Sequence, residues 1–242
     1  MQSLWNQFGQ PIGVPLTAWA PPSRPPRAPL EGRLCRLEPL DPGRHASTLF
    51  AADCEDREGS SWTYLAYGPF PGFSAYCDWM TSTCLGDDPL FFAVIDKAGG
   101  EPAGVASYLR IAPAGGSIEV GHIHYSPRLQ RRPAATEAMY LMMKQAFELG
   151  YRRYEWKCDS LNTASRAAAE RLGFSFEGIF RQATVYKGRN RDTAWYAVVD
   201  SDWPRLRSAF EAWLDPGNFD GSGRQRTRLS DRTTAENTSS IP

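Results

Sequence analysis

The chain has 242 residues, 42% of them hydrophobic, enough for one sizeable core with appendages. Its 27 Lys and Arg side chains balance 27 Asp and Glu, so no global basic field exists to gather nucleic acid or an anionic membrane, and neither is expected as a partner. With no apolar run of transmembrane length, no signal-peptide pattern at the N-terminus and five cysteines without a CxxC pair or zinc spacing, the cytoplasm is the expected compartment.

In chain order, residues 1–30 form a proline-rich arm that must run extended over the surface or stay mobile. A strand is expected at 33–38, helices at 43–53 and 71–85, and strands at 90–96, 102–111 and 117–125. The last of these ends at Ser126-Pro127, where a central strand has to stop. An amphipathic helix at 134–149 follows, with Ala138, Leu141, Met142 and Ala146 on one stripe, then a strand at 151–157 and a helix at 163–172. A hairpin over 174–199 turning at 188–190 and a helix at 203–214 complete a domain spanning 31–215. Residues 216–242 are polar and too poor in apolar surface to order themselves. Antiparallel strands first and a strand-helix-strand unit later imply an α+β fold, a mixed sheet with helices on both faces.

The segment 130–136, Gln-Arg-Arg-Pro-Ala-Ala-Thr, lies between a strand and an amphipathic helix. First-turn amide N–H groups without internal partners make a seat for a diphosphate, although many strand-loop-helix units bind nothing. His45, His122 and His124 are too few and too ill-spaced for a metal centre, and no metal is expected.

Gln130-x-x-Pro133-x-Ala135 resembles the Gln/Arg-x-x-Gly-x-Gly/Ala signature of the GNAT superfamily of acyl-CoA-dependent N-acyltransferases. Asn162-x-x-Ser165-Arg166, Leu172-Gly173-Phe174 and Glu177-Gly178 resemble elements of its branch of ribosomal-protein N-acetyltransferases, in the same order and spacing. The resemblance implies a GNAT fold with a mostly antiparallel, splayed sheet. It also implies an N-acetyltransferase moving an acetyl group from acetyl-CoA to a primary amine of a small molecule or a peptide N-terminus, by direct attack in a ternary complex. Two departures stand out. Pro133 replaces the usual first glycine and removes one N–H, though proline suits a first helical turn. Ala169 stands where many members carry a tyrosine that protonates the leaving thiolate. A catalytically weak acyl-CoA-binding module is the alternative these departures raise, and the protein is expected to be a monomer or a homodimer.

Acyl transfer needs a neutral amine, a polarised carbonyl and a proton for the thiolate. Glu119, eleven residues before Gln130, is the candidate base, its position resembling the glutamate base of several GNAT enzymes; a surface ion pair with an arginine is the other reading. The resemblance assigns the pantetheine and thioester contacts to the main chain of Ile123, His124 and Tyr125. His122 and His124 share one face of the strand and are secondary candidates as bases. The cofactor set is completed by Gln130, Arg131, Arg132, Pro133, Ala134, Ala135 and Thr136, with Asn162 and Arg166 downstream. Ser165 is a candidate acid, or caps its helix while Asn162 contacts the pantetheine. In the aromatic stretch 62–79, Trp62, Tyr64 and Tyr67 are expected at the acceptor.

Overall fold

The computed structural model describes residues 4–234. Among the described residues, β1 (Leu4–Trp5) and β2 (Pro11–Ile12) pair only with each other. The main body runs β3 (Leu30–Glu31), β4 (Cys35–Pro39), α1 (Pro42–Asp53), α2 (Phe73–Thr83), β5 (Leu90–Asp96), β6 (Glu101–Ala112) and β7 (Ser117–Tyr125). It continues through α3 (Pro133–Glu148), β8 (Arg153–Asp159), α4 (Thr163–Arg171), β9 (Ser175–Tyr186), β10 (Arg189–Val199), α5 (Trp203–Leu214) and a short α6 (Ser230–Thr233). Eight strands form one sheet in the order β3-β4-β5-β6-β7-β8-β10-β9. Every neighbouring pair is antiparallel except β7 and β8, which α3 connects in parallel. The expected mixed, mostly antiparallel α+β sheet is what forms.

The pleat sorts the core into two layers. On β5, Phe92 and Val94 meet the side of α3, α4 and α5, where Ala138, Met142, Leu172 and Phe210 pack. Phe91 and Ala93 point the other way, against Leu49 of α1, Met80 of α2 and Trp62. Both faces are therefore covered, which is why the segment reads as an unbroken apolar run. Asp41 caps α1 by accepting from the Gly43 N–H at 2.8 Å, and Pro42 opens that helix. Glu137, in the first turns of α3, is buried and accepts from the N–H groups of Arg33 (3.0 Å), Leu34 (2.6 Å) and Cys35 (2.8 Å), tying the helix to β4.

Several boundaries differ from expectation, among them β4, which starts at Cys35 and not at 33, and α2, which spans Phe73–Thr83 and not 71–85. β8 starts two residues later because the N–H groups of Arg152 and Arg153 both donate to Gly116. Residues 216–234 are ordered, contrary to the expected loose tail, and polar anchors explain it. Buried Asn218 donates to the Trp213 carbonyl (2.9 Å) and accepts from the Thr227 N–H (3.0 Å), while Leu229 and Thr233 are buried against the domain. The rest of that tail, 235–242, lies outside the described residues. In the proline-rich arm, Pro22 and Pro25 are buried, and Arg27 donates to the carbonyls of Leu85 and Gly86. Among the described residues no helix is long and apolar enough to cross a membrane.

Candidate active site

β7 and β8 share four register pairs, from Ser117↔Arg153 to Val120↔Trp156, and then part. At the same place β7 bulges. Gly121 pairs with Ser107 and His124 with Val105, so three steps on β7 oppose two on β6, and His122 takes up the extra residue with φ 50°. From Gly121 to Tyr125 the strand thus keeps β6 on one side and, among the described residues, has no strand on the other. The splay opens between this stretch and the end of β8, as the resemblance implied.

On one face of the sheet lies the loop into α3. Pro133 occupies the first helical position and Arg132 the cap, so the missing proline N–H is one the helix does not use. The Ala135 N–H donates back to the Arg132 carbonyl, leaving the N–H groups of Arg131 and Ala134 without a partner among the described residues. Arg131 has φ 61° and, like Arg132, is exposed. Arg128 just before them is paired with Glu55 (2.8 Å) and Glu101 (3.4 Å), whereas Arg131 and Arg132 have no carboxylate partner among the described residues. Two free N–H groups, two unneutralised guanidinium groups and a helix start suit a diphosphate. Sequence reasoning missed Arg171, whose Nη2 donates to Thr136 Oγ1 at 3.1 Å and brings a third cation from α4 to the first turn of α3. Its only signal was a basic residue in the last turn of α4.

Several expected contacts are already taken. The Gln130 amide donates to the Tyr125 carbonyl at 2.8 Å, so that carbonyl already accepts one hydrogen bond from the loop. Asn162, not Ser165, caps α4, with its Oδ1 accepting from the Ser165 N–H at 3.0 Å. Arg166 Nε donates to Tyr196 Oη at 3.1 Å and its guanidinium lies 5.6 Å from the Phe176 ring centroid, which engages it in the sheet rather than at the diphosphate loop. Ser165 Oγ accepts from the Trp156 indole N–H at 3.0 Å, and its hydroxyl also lies against the Cys158 thiol. Ala169 is fully buried, so its position offers the site no surface.

On the opposite face, Glu119 is 3% exposed and held by two cations, Arg110 (2.7 Å) and Lys157 (2.9 Å). Lys157 also pairs with Glu155 at 2.7 Å and sits 3.8 Å from the Trp195 ring centroid. Burial pushes the Glu119 carboxyl above the ordinary carboxylate range, against the pull of Lys157 and Arg110. Both β7 histidines are engaged in hydrogen bonds. Tyr67, a phenol that burial keeps protonated, lies with its hydroxyl 2.9 Å from His122 Nδ1, and burial lowers that imidazole to about 4, leaving it neutral. His124 is buried with Nε2 2.9 Å from Ser61 Oγ and Nδ1 3.3 Å from Asp53, and its ring stacks on Trp62 at 3.6 Å. Trp62 is itself 3% exposed, so it braces His124 and does not form an acceptor wall. Tyr64 and Tyr67 remain half-buried at the splay, with the Tyr64 hydroxyl donating to the Leu161 carbonyl at 3.2 Å.

The acetyltransferase (GNAT) domain model matches residues 35–175. The chain belongs to the GNAT acetyltransferase family. It is 50% identical to a GCN5-related N-acetyltransferase from Brucella melitensis, over 90% of this chain and 99% of that one, with a TM-score of 0.88. A GNAT-family protein from Chromobacterium violaceum is 42% identical over 81% of this chain and 98% of its own, with a TM-score of 0.76. A third structure, from T. thermophilus, is 30% identical over 81% and 99%, with a TM-score of 0.70. No curated protein matches the chain significantly. GNAT acetyltransferases use acetyl-CoA and act on amines, and in this GNAT chain the splay and the α3 start are the two features that suit that chemistry.

Proposed function

We propose that this enzyme acetylates a primary amine, carried by a small molecule or a peptide N-terminus, in a ternary complex with acetyl-CoA in the cytoplasm. The observation that carries the proposal is the placement of Glu119 within the last paired stretch of β7, two residues before the strand loses β8. Arg131, Arg132, Arg171 and the free N–H groups of Arg131 and Ala134 hold the diphosphate. Acetyl-CoA supplies the thioester carbonyl that the amine attacks. Glu119 takes the amine proton, directly or through water, and its raised carboxyl range makes it a better base than a solvated glutamate. The N–C bond forms as the C–S bond breaks, and Ser165, whose hydroxyl oxygen accepts from Trp156, protonates the thiolate. His122 and His124 are hydrogen-bonded to Tyr67 and Ser61 and Glu119 is ion-paired to Arg110 and Lys157, so hydrogen bonding does not separate them. The carboxyl raised by burial beside the end of the β7–β8 pairing makes Glu119 the base in this reading.

The test is consumption of acetyl-CoA by the purified protein against a panel of small amines and short peptides with free N-termini. Acceptor-dependent release of CoA is the expected result. Tight binding of acetyl-CoA in calorimetry without release on any acceptor supports the binding-module alternative instead.

A further inference from the structure

We infer that the acceptor is a small amine and not a polypeptide N-terminus, because residues 59–69 form a roof across the acceptor mouth of the splay. The inference rests on the acetyl-transfer reading above. Gly59 (φ 65°) and Gly68 (φ 64°) bracket the segment in the left-handed region that glycine tolerates. A Cβ on Gly59 would lie 2.9 Å from Pro69 Cγ, so the two ends of the segment touch, as in a compact Ω-loop. A Cβ on Gly68 would lie 2.5 Å from Trp62 Cε3, so the returning chain is pressed onto the buried indole.

The roof is pinned on both lips of the splay. On the β7 lip, Ser61 holds His124 (2.9 Å), Tyr67 holds His122 (2.9 Å) and Trp62 stacks on His124. On the β8 lip, the Tyr64 hydroxyl donates to the Leu161 carbonyl at 3.2 Å, just past the strand end. The tip of the β9–β10 hairpin closes the far side, where Lys187 Nζ donates to the Trp62 carbonyl (2.8 Å) and Arg189 Nη2 to the Thr63 carbonyl (3.0 Å). From beneath, α2 stiffens the span, with the Trp79 ring 4.7 Å from Tyr67 and 6.3 Å from Trp62. A peptide whose N-terminal amine reaches Glu119 must carry its following residues away through a continuous trough, roughly 3.3 Å for each. The roof lies across that trough. A small amine needs no such exit and can pass at the Arg110 side of the Glu119 ion pair, where the arginine side chain is 61% exposed.

The experiment compares kcat/KM for a set of small primary amines with that for tripeptides bearing free N-termini, in the unmodified enzyme and in Tyr64→Phe and Arg189→Ala, singly and together. Tyr64→Phe keeps the ring and removes only the tie to Leu161, and Arg189→Ala removes the tie to the Thr63 carbonyl together with the guanidinium's contact on the Tyr186 ring. The expected result is a preference for small amines of at least ~100-fold, narrowing by about tenfold when both ties are removed. Equal use of peptides and small amines by the unmodified enzyme overturns the inference and leaves acetyl transfer intact. A preference unchanged in the double variant also overturns it, since the roof is then not its source. If acetyl-CoA is consumed with neither class, the acetyl-transfer reading fails and the inference fails with it.

Discussion

The cofactor side and the acceptor side of this site are built in opposite ways. The proposed diphosphate seat is one contiguous segment, the end of β7, the loop 126–132 and the first turn of α3, with Arg171 as a late addition. The proposed acceptor mouth is assembled from the Ω-loop 59–69, two histidines of β7, Leu161 after β8 and the tip of the β9–β10 hairpin. A contiguous seat tolerates changes one residue at a time, because helix-start N–H groups are fixed by backbone geometry. An assembled mouth depends on distant partners staying in register, so its contacts are coupled.

Breaking the acceptor side at its buried acid should give the largest effect. Glu119→Gln keeps shape and removes basicity, and turnover should fall by ~100-fold or more while acetyl-CoA affinity in calorimetry stays near the parent value. Because the folded carboxyl lies above its ordinary range, the acid limb of kcat/KM should sit above that range too, and vanish in the variant. The same shift sets the sign for stability. Glu119 favours the fold most below its unfolded value, and that contribution is lost as pH rises through the folded one. An unaltered rate and acid limb would reduce Glu119 to an ion-pair anchor for Lys157.

Ser165→Ala tests where the two sides meet. A CoA thiolate leaves readily, its thiol being comparable to a free cysteine near pH ~8.5, so assistance is modest and turnover should drop about tenfold. The Trp156 indole N–H loses its acceptor in this variant, so a thermal melt should accompany the kinetics. Loss of stability at full turnover would assign the hydroxyl to Trp156 alone.

The same contrast explains what the sequence disclosed. A short apolar run placed β5, a β-branched and aromatic segment stopped by Ser126-Pro127 placed β7, and α5 too was set on its observed bounds; with helix-start chemistry locating the α3 loop, each signal is local. Trp62 was legible as part of an aromatic cluster, but its burial under His124 depends on a strand about sixty residues later. Arg166 carried a family motif yet serves Tyr196, and Asn162 rather than Ser165 caps α4; both outcomes follow from tertiary neighbours that no spacing reveals. The order of 216–234 was hidden for the same reason, since one buried amide, Asn218, replaces the apolar area that composition measures.

On the cofactor side, Arg131→Ala with Arg132→Ala should weaken acetyl-CoA binding by about tenfold, and the loss should shrink in high salt because both side chains are exposed. Calorimetry at two ionic strengths reads both effects. A loss independent of salt would mean that the loop had changed shape rather than charge.

The smallest expected effect is also the most specific to this chain. Pro133→Ala restores an N–H at the first position of α3, where the helix itself has no use for it and an anion does. One added hydrogen bond to a charged oxygen, beside donors already in place, should tighten acetyl-CoA binding by roughly threefold. The proline's fixed φ is lost at the same time, which should lower stability by about 0.5–1 kcal/mol and the melting temperature of the free protein by a few degrees. The two readouts therefore move in opposite directions, affinity up and stability down. If affinity stays at the parent value while the melting temperature falls, the added N–H does not face the diphosphate. The seat would then rest on the guanidinium groups of Arg131, Arg132 and Arg171, and the departure from glycine at this position would concern helix stability alone.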